Sequence, residues 1–94
     1  MPGRSFEWDE AKAAANAAKH GVTFKAAREV FKDPFAIERL DDREAYGEDR
    51  YHLTGMVDGR LLVVVYTLRN GTVRIISARG ARPHEGRLYH EAQR

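Results

Sequence analysis

The stretch Arg50–Arg79, RYHLTGMVDGRLLVVVYTLRNGTVRIISAR, decides the fold because it holds two tight-turn dipeptides between β-rich runs. Asp58-Gly59 and Asn70-Gly71 are typical of type I′ turns, in which both central residues take positive φ. They predict an antiparallel meander of three strands, at Tyr51–Val57, Arg60–Arg69 and Thr72–Ala78.

Two-residue turns also fix the register, so paired residue numbers sum to 117 in the first hairpin and to 141 in the second. One predicted face is apolar enough to pack on helices, and it carries Tyr51, Leu53, Leu62, Val64, Tyr66, Leu68, Val73 and Ile75. The other face is mixed, and it carries Arg50, His52, Thr54, Thr67 and Arg74 among Leu61, Val63, Val65 and Ile76. Aliphatic groups left in water favour association, so we expect a partner protein to cover this mixed face.

The residues before the meander predict an edge strand at Phe6–Trp8 and two helices. Asp9 is a typical N-cap for a helix over Glu10–His20, which Gly21 ends. Its alanines at three- and four-residue spacing predict the buried stripe, and its other side is polar: Ala11, Ala14, Ala15 and Ala18 against Lys12, Asn16, Lys19 and His20.

The remaining elements follow from caps and breakers. Thr23 caps a second helix through about Lys32, with Phe24, Ala27, Val30 and Phe31 inward, and Asp33-Pro34 ends it. We expect a strand over Phe35–Asp41, a charged loop over residues 42–50, and a helix that Pro83 opens and that runs through Arg94. The sequence thus predicts one α+β domain over residues 1–94, with two N-terminal helices packed on a small antiparallel sheet and a C-terminal helix.

Composition excludes several classes of protein. The chain has 94 residues, 43% of them hydrophobic and 32% charged, as is typical of a soluble globular domain. It has no cysteine, so disulfides, thiolate zinc sites and a cysteine nucleophile are excluded. No apolar run approaches the roughly 20 residues that span a bilayer, and the first residues lack the apolar stretch of a signal peptide. We therefore expect a cytoplasmic protein.

Familiar cofactor motifs are also missing. No Walker loop, GxGxxG or GxSxG sequence occurs, and the four histidines lack the spacing of a chelating pair. We therefore expect neither a metal site nor a cofactor.

An arginine-rich constellation is the candidate for chemistry. From Arg69 onward the chain holds six arginines against two glutamates, although its net charge is only +2. Such residues can cleave RNA without a metal, because a base activates the 2′-hydroxyl while guanidinium groups stabilise charge on the phosphoryl oxygens. The alternative is that they form ordinary surface ion pairs of little energetic worth. The members are Glu48, Arg50, Arg79, Arg82, Glu85 and Tyr89.

Lys19 and His20 also have two interpretations. Cations in the last turn of a helix interact favourably with its negative dipole end, which is a purely structural role. The alternative is a functional role for these two residues.

Taken together, these residues resemble BrnT-type toxins from about residue 6 to residue 90. The resemblance rests on Trp8-Asp9 followed by Lys12, on Lys19-His20-Gly21-Val22, and on Ile76-Ser-Ala-Arg79, in that order. Further matching positions are Asn16, Phe24, Ala27, Phe31, Asp33-Pro34, Gly47-Glu48-Asp49-Arg50, Val63–Thr67, Ala81, Glu85 and Tyr89.

The resemblance implies a RelE-like fold and a ribonuclease toxin of a bacterial type II toxin–antitoxin system. Such toxins cleave RNA, arrest translation and are neutralised by an antitoxin, here one resembling BrnA. That antitoxin carries the DNA-binding domain, so contact with DNA is indirect, and we expect a higher-order complex of toxin and antitoxin.

The expected site residues fall into three groups. The catalytic candidates are Glu48, Arg50, Arg79, Arg82 and Glu85; the RNA-binding candidates are Lys19, His20, Arg74 and Tyr89; the antitoxin-binding candidates are Val63, Val65 and Ile76. The alternative hypotheses are a nucleic-acid-binding module without catalysis and a domain that only scaffolds a protein partner. Against the first, no predicted helix concentrates enough basic side chains to read a major groove.

Overall fold

Residues 4–41 and 47–93 are described by the computed structural model, and within them three α-helices accompany one five-stranded sheet. In chain order the elements are β1 (Phe6–Glu7), α1 (Glu10–His20), α2 (Phe24–Glu29), β2 (Ile37–Asp41), β3 (Arg50–Val57), β4 (Arg60–Arg69), β5 (Thr72–Gly80) and α3 (Pro83–Glu91). The strand order across the sheet is β1-β5-β4-β3-β2.

The two predicted hairpin turns are confirmed. Asp58 and Gly59 have φ of 48° and 78°, and Asn70 and Gly71 have φ of 51° and 80°, as a type I′ turn requires. The first hairpin keeps the predicted register along its whole length, from Val57↔Arg60 to Tyr51↔Tyr66.

The sheet is mixed, so the prediction of a wholly antiparallel sheet is wrong at one edge. The edge strand β1 pairs with β5 in parallel, with Phe6 beside Val73 and Glu7 beside Arg74. Parallel strands need a long crossover connection, and the helices and strands between β1 and β5 supply it.

A β-bulge breaks the predicted register of the second hairpin. Tyr66 pairs with Ile75 as expected, but the next pair is Val65↔Ser77, which leaves Ile76 as the extra residue. An unbroken register would place Arg79 opposite Leu62 on the apolar face. The bulge instead pairs Arg79 with Val63, on the mixed face that also carries Arg50 and Arg74.

The core lies between the apolar sheet face and the segment of α2. Phe24, Ala27 and Val30 are buried there, as predicted from the helix pattern. They belong to one cluster with Val22, Leu53, Leu62, Val64, Tyr66, Val73, Ile75 and Ala78, and Phe31 packs against it. Leu68, predicted on this face, is 49% exposed because it lies near the end of β4.

The prediction of which residues of α1 are buried is wrong. Asp9 caps the helix and Gly21 ends it as expected, but the alanines at 11, 14, 15 and 18 are all exposed. The buried residue is Asn16, whose amide nitrogen donates to Val22 O and Ala78 O, both at 2.9 Å. A polar side chain is stable there because its hydrogen bonds are made.

Other boundaries differ by a few residues. α2 ends at Glu29 and continues as a 3₁₀ turn over Val30–Lys32, where one long helix was expected. β2 starts at Ile37, because Phe35 N donates to Asp33 Oδ1 in a turn after that segment. Arg50 already lies in β3, and α3 ends at Glu91 where a helix through Arg94 was expected. Residues 42–46 of the predicted charged loop and Arg94 lie outside the described residues.

The mixed face is less exposed than predicted. Val63 is only 1% exposed, and Thr67, His52 and Thr54 are also buried. α3 lies against one end of this face, since a Cβ at Gly86 would stand 3.7 Å from Leu61 Cδ2. Exposed aliphatic surface is therefore limited to half-buried residues such as Val65 and Ile76.

Candidate active site

A small cavity of about 50 Å³ opens where the mixed face meets the start of α1. Four cationic side chains line it, against two carboxylates: Lys12, Arg50, Arg69 and Arg74 against Asp9 and Glu48, with Ile75 and Ile76 beside them. We name this cavity the arginine cleft. Its surplus of positive charge suits an anionic ligand, and planar guanidinium groups match phosphate geometry better than ammonium groups do.

The two carboxylates of the arginine cleft accept hydrogen bonds from different groups. Glu48 Oε1 accepts from Nε and Nη2 of Arg69, both at 3.3 Å. Asp9 accepts from Lys12 N at 3.0 Å as the N-cap of α1, and this backbone hydrogen bond lowers the pKa of its carboxyl. Asp9 is thus committed to holding the helix, and Glu48 is the carboxylate left for chemistry.

Two hydrogen bonds made by side chains hold the walls of the cleft in place. Thr67 Oγ1 donates to Asp49 O at 2.6 Å, which ties the segment between Glu48 and Arg50 to β4. Arg74 Nη1 donates to Glu7 Oε2 at 2.8 Å, which fixes the other wall against β1. The three arginines of the cleft are therefore carried by strands, where side chains are positioned more precisely than on loops.

Arg79, Arg82 and Glu85 form a separate group at the far end of β5. Arg79 donates to both oxygens of Glu85, from Nη1 at 2.7 Å and from Nη2 at 2.8 Å, and Arg82 N donates to Glu85 Oε1 at 2.7 Å. The Arg79 guanidinium lowers the pKa of Glu85 to about 2, although burial of the carboxyl opposes this. Glu85 is therefore ionised at neutral pH and cannot serve there as a general acid.

Tyr89 is placed where it anchors α3. It is 4% exposed, and its hydroxyl donates to Asp33 Oδ2 at 2.5 Å. Burial, together with this bond to a carboxylate, raises the pKa of Tyr89 to about 12. Burial also opposes ionisation of Asp33, but hydrogen bonds from Tyr89, Met56 N and Phe35 N outweigh it and lower the pKa of Asp33. The predicted contact of Tyr89 with RNA does not fit this buried position.

Lys19 and His20 lie in the last turn of α1, beside the end of β5. Lys19 is exposed and His20 is half-buried. One turn earlier, Asn16 bonds Ala78, and one residue later Arg60 Nη1 reaches Gly21 O at 3.5 Å. This position leaves the Lys19 ammonium open to solvent at the edge of the sheet.

The structure thus divides the predicted site residues into distinct places. Glu48, Arg50 and Arg74 come together in the arginine cleft, and Arg79, Arg82 and Glu85 form the group that holds α3. Of the three predicted antitoxin contacts, Val63 is buried and so is not an exposed contact residue, while Ile76 lines the cleft and Val65 lies half-buried on the same face.

Two cleft residues were missed at the level of sequence. Arg69 was treated only as the end of a strand, although the register of the first hairpin already puts position 69 opposite position 48. Lys12 was assigned to a polar helix side, and only the position of α1 against β5 brings it to the cleft. The first signal was available in the sequence, whereas the second depends on tertiary packing.

A buried histidine network adjoins the cleft and was also missed. Arg39 Nη2 lies 3.1 Å from His52 Nδ1, and His52 Nε2 lies 3.0 Å from Asp41 Oδ2. Because arginine only donates, this geometry has Nδ1 accepting from Arg39 and Nε2 donating to Asp41. His52 and Asp41 are both 5% exposed, so the network braces β2 against β3 below the surface of the face.

Within residues 4–41 and 47–93, no three His, Asp or Glu side chains are grouped so that they could hold a metal ion. In the same part of the chain, no helix is both long enough and apolar enough to cross a membrane.

Comparison with protein families identifies the chain. The family model described as the ribonuclease toxin, BrnT, of a type II toxin–antitoxin system matches residues 8–85. The chain belongs to the BrnT toxin family. No curated protein matches the chain. Membership in the BrnT family carries with it ribonuclease toxicity and a protein antitoxin as partner. The match includes the arginine cleft and Glu85 but ends before Tyr89.

Proposed function

We propose that this BrnT-family toxin is a metal-independent endoribonuclease whose reaction takes place in the arginine cleft. The observation that supports this most directly is the cleft itself, in which Glu48 lies among Lys12, Arg50, Arg69 and Arg74. The arginines supply the positive charge that many phosphoryl-transfer enzymes take from metal ions.

The proposed reaction is an attack by the substrate's own 2′-hydroxyl on the adjacent phosphorus. Glu48 takes the hydroxyl proton as general base, the new oxygen–phosphorus bond forms, and the bond to the 5′ oxygen breaks. Lys12, exposed at the cleft, gives the leaving 5′ oxygen its proton. The products are a 2′,3′-cyclic phosphate and a 5′-hydroxyl end, so no water is consumed in this step.

Arg50, Arg69 and Arg74 stabilise the charge that builds on the phosphoryl oxygens in the transition state. Removing one such charged donor typically lowers the rate about a hundredfold or more. Arg69 also positions the base, since it donates twice to Glu48.

Arg79, Arg82 and Glu85 are proposed to support the site through the position of α3. Arg79 shares the sheet face of the cleft but is held by Glu85, and a bidentate pair of this kind fixes geometry as well as charge. This arrangement favours a positioning role for all three residues, in place of the direct catalytic role expected from the sequence.

The wider role is a consequence of the same chemistry. A RelE-like toxin that cleaves RNA in the cytoplasm would arrest translation, and a BrnA-like antitoxin would restrain it. The mixed face is proposed as the surface that this antitoxin covers, at Val65 and Ile76.

The experiment is an in vitro cleavage assay on total RNA in excess EDTA, with Glu48→Gln and Arg69→Lys as test variants. Glu48→Gln keeps the shape of the base but cannot take a proton, so we expect a loss of about a hundredfold or more in rate. Arg69→Lys keeps the charge but loses the planar fork. Arg28→Lys is the matched control, because Arg28 lies on α2 outside the cleft.

Three outcomes would contradict the proposal. Full activity in Glu48→Gln would show that Glu48 is not the general base. Activity that is lost in EDTA and restored by a stoichiometric divalent ion would show that the reaction depends on a metal. RNA binding without cleavage by the unaltered toxin favours a nucleic-acid-binding module instead.

A further inference from the structure

One side of α1 carries cations along the outer edge of β5. β1 ends at Glu7, so among residues 4–41 and 47–93 no strand lies beside residues 75–80 of β5 on that edge. Asn16 takes the place of a strand there: its Oδ1 accepts from Ala78 N at 3.1 Å while its amide nitrogen donates to Ala78 O. This pair holds α1 lengthwise along β5.

The hydrogen bonds between Asn16 and Ala78 also determine where the cations of α1 lie. Residues three and four positions apart share one side of a helix, so Lys12, four before Asn16, and Lys19 and His20, three and four after it, share its stripe. Lys12 and Lys19 are exposed, and Lys12 lines the arginine cleft. We call Lys12, Lys19 and His20 the α1 track.

We propose that the α1 track binds the sugar-phosphate backbone of single-stranded RNA as it leaves the arginine cleft, an inference that rests on the proposed ribonuclease function. Lys19 lies seven residues after Lys12, which is about 10.5 Å along the helix axis. A stacked strand advances about 3.4 Å per nucleotide, so about three nucleotides separate the two ammonium groups. Lys12 is the end of the track at the reacting phosphate, and Lys19 is the end that contacts the strand beyond it.

Two observations favour RNA over an acidic protein segment on this track. It is continuous with the cleft through Lys12, so one strand can contact both. Its outer cation is one exposed lysine, and the exposed apolar residues of α1 are all alanines, which offer little area to a protein partner: Ala11, Ala14, Ala15 and Ala18. A backbone contact needs only charge, whereas a protein interface needs an apolar centre.

The test compares two fluorescent RNAs of related sequence, an octanucleotide and the dinucleotide at its centre. Both carry 2′-O-methyl groups, so neither can be cleaved and binding is measured separately from chemistry. Lys19→Gln should weaken binding of the octanucleotide by about threefold to tenfold and reduce the dependence of log K on log salt by about 0.7. The dinucleotide is too short to reach Lys19, so its binding should not change. With cleavable RNA the loss should fall on KM rather than on kcat.

Lys25→Gln is the matched control, because Lys25 is an exposed lysine beside the groove on the other flank of α1. Equal effects of Lys19→Gln and Lys25→Gln, or equal effects of Lys19→Gln on both RNAs, would overturn the track. So would a Lys19→Gln variant that binds RNA normally but loses the antitoxin. If the unaltered toxin cleaves no RNA yet binds the octanucleotide through Lys19, the track stands and the ribonuclease proposal fails.

Discussion

The side-chain amide of Asn16 pairs with the backbone of Ala78 in both directions, donating to its carbonyl at 2.9 Å and accepting from its N–H at 3.1 Å. Strand edges with unpaired backbone groups are prone to pairing with other chains, and a covering helix is one way to protect them. Here one asparagine, 8% exposed, both protects the edge of β5 and attaches α1 to the sheet.

The first prediction follows from this pair. Asn16→Leu should lower the free energy of unfolding by about 1–3 kcal/mol for each backbone group left buried and unbonded. Because the edge of β5 then has unpaired backbone groups, the variant should also tend to self-associate. Urea unfolding monitored by circular dichroism measures the first effect, and light scattering measures the second. Ala15→Ser, on the exposed side of α1, should change stability by less than about 0.5 kcal/mol. Equal stability of Asn16→Leu and the unaltered toxin would contradict the role given to this pair.

The meander was predictable from sequence because its information is local. Asp58-Gly59 and Asn70-Gly71 each set a turn and a register without help from distant residues, and both turns are as predicted. The bulge at Ile76 was not predictable, since nothing in Ile75-Ile76-Ser77 marks which residue is extra. That single residue puts Arg79 on the mixed face, whereas an unbroken register would put it on the apolar face.

The prediction of which side of α1 is buried was wrong for a different reason. A rule that buries the apolar stripe of a helix assumes that burial of side-chain area decides the face. Alanine buries little area, so the exposed alanines cost little, and the hydrogen bonds of Asn16 to Val22 and Ala78 decide the face instead. The cleft was predictable in part, through Glu48, Arg50 and Arg74, but Lys12 reaches it only because α1 is turned this way.

The second prediction concerns acid stability. The pKa of Glu85 is lowered from 4.5 to about 2 by Arg79, so the folded state favours the ionised carboxylate. A lowered folded-state pKa stabilises the protein above the unfolded pKa, and this stabilisation is lost as pH falls from about 4.5 towards 2. Because one pKa unit corresponds to about 1.4 kcal/mol, ionisation of Glu85 contributes on the order of 3 kcal/mol to the free energy of unfolding at neutral pH.

Glu85→Gln removes that titrating group. Its free energy of unfolding should be lower than that of the unaltered toxin at pH 7, and the difference should shrink between pH 4.5 and pH 2. Urea unfolding at a series of pH values measures both curves. Glu91→Gln, on the exposed end of α3, serves as the control and should follow the unaltered toxin. A constant gap between Glu85→Gln and the unaltered toxin across this range would show that the Arg79 pair does not set the acid sensitivity.

The third prediction concerns alkaline stability and uses Tyr89. Its pKa is raised from 10.0 to about 12 by burial and by the bond to Asp33, so the folded state favours the neutral phenol. The resulting stabilisation is complete below pH 10 and is lost as pH rises towards 12. Tyr89→Phe lacks the ionisable hydroxyl, so its stability should fall less steeply over this interval than that of the unaltered toxin.

At pH 7 the same variant should be less stable by about 1–3 kcal/mol, because Asp33 keeps its charge but loses one donor. Thermal unfolding at pH 7 and urea unfolding at pH 10 to 12 measure the two effects. Tyr51→Phe is the control, since Tyr51 stacks on Tyr66 through its ring. If Tyr89→Phe and Tyr51→Phe have the same alkaline profile, the Tyr89–Asp33 bond is not what holds α3.

The last prediction places the antitoxin over the arginine cleft. Ile76 is an extra residue in β5, and the bulge sets it at the cleft beside Arg50 and Arg74. If an antitoxin packs an apolar side chain on Ile76, the antitoxin residues next to that side chain lie over the arginines of the cleft. Acidic residues are favoured at those antitoxin positions because their charge complements that of the arginines. Binding would then close the cleft to RNA without any change in the toxin's own fold.

Ile76→Asp puts a negative charge at that apolar contact, so it should weaken the antitoxin complex about tenfold or more in a co-purification or calorimetry experiment. Leu88→Asp is the control because Leu88 is 56% exposed on α3, and it should bind antitoxin normally. If both variants bind antitoxin equally well, inhibition does not come from covering the cleft, and the antitoxin must contact the toxin on another surface.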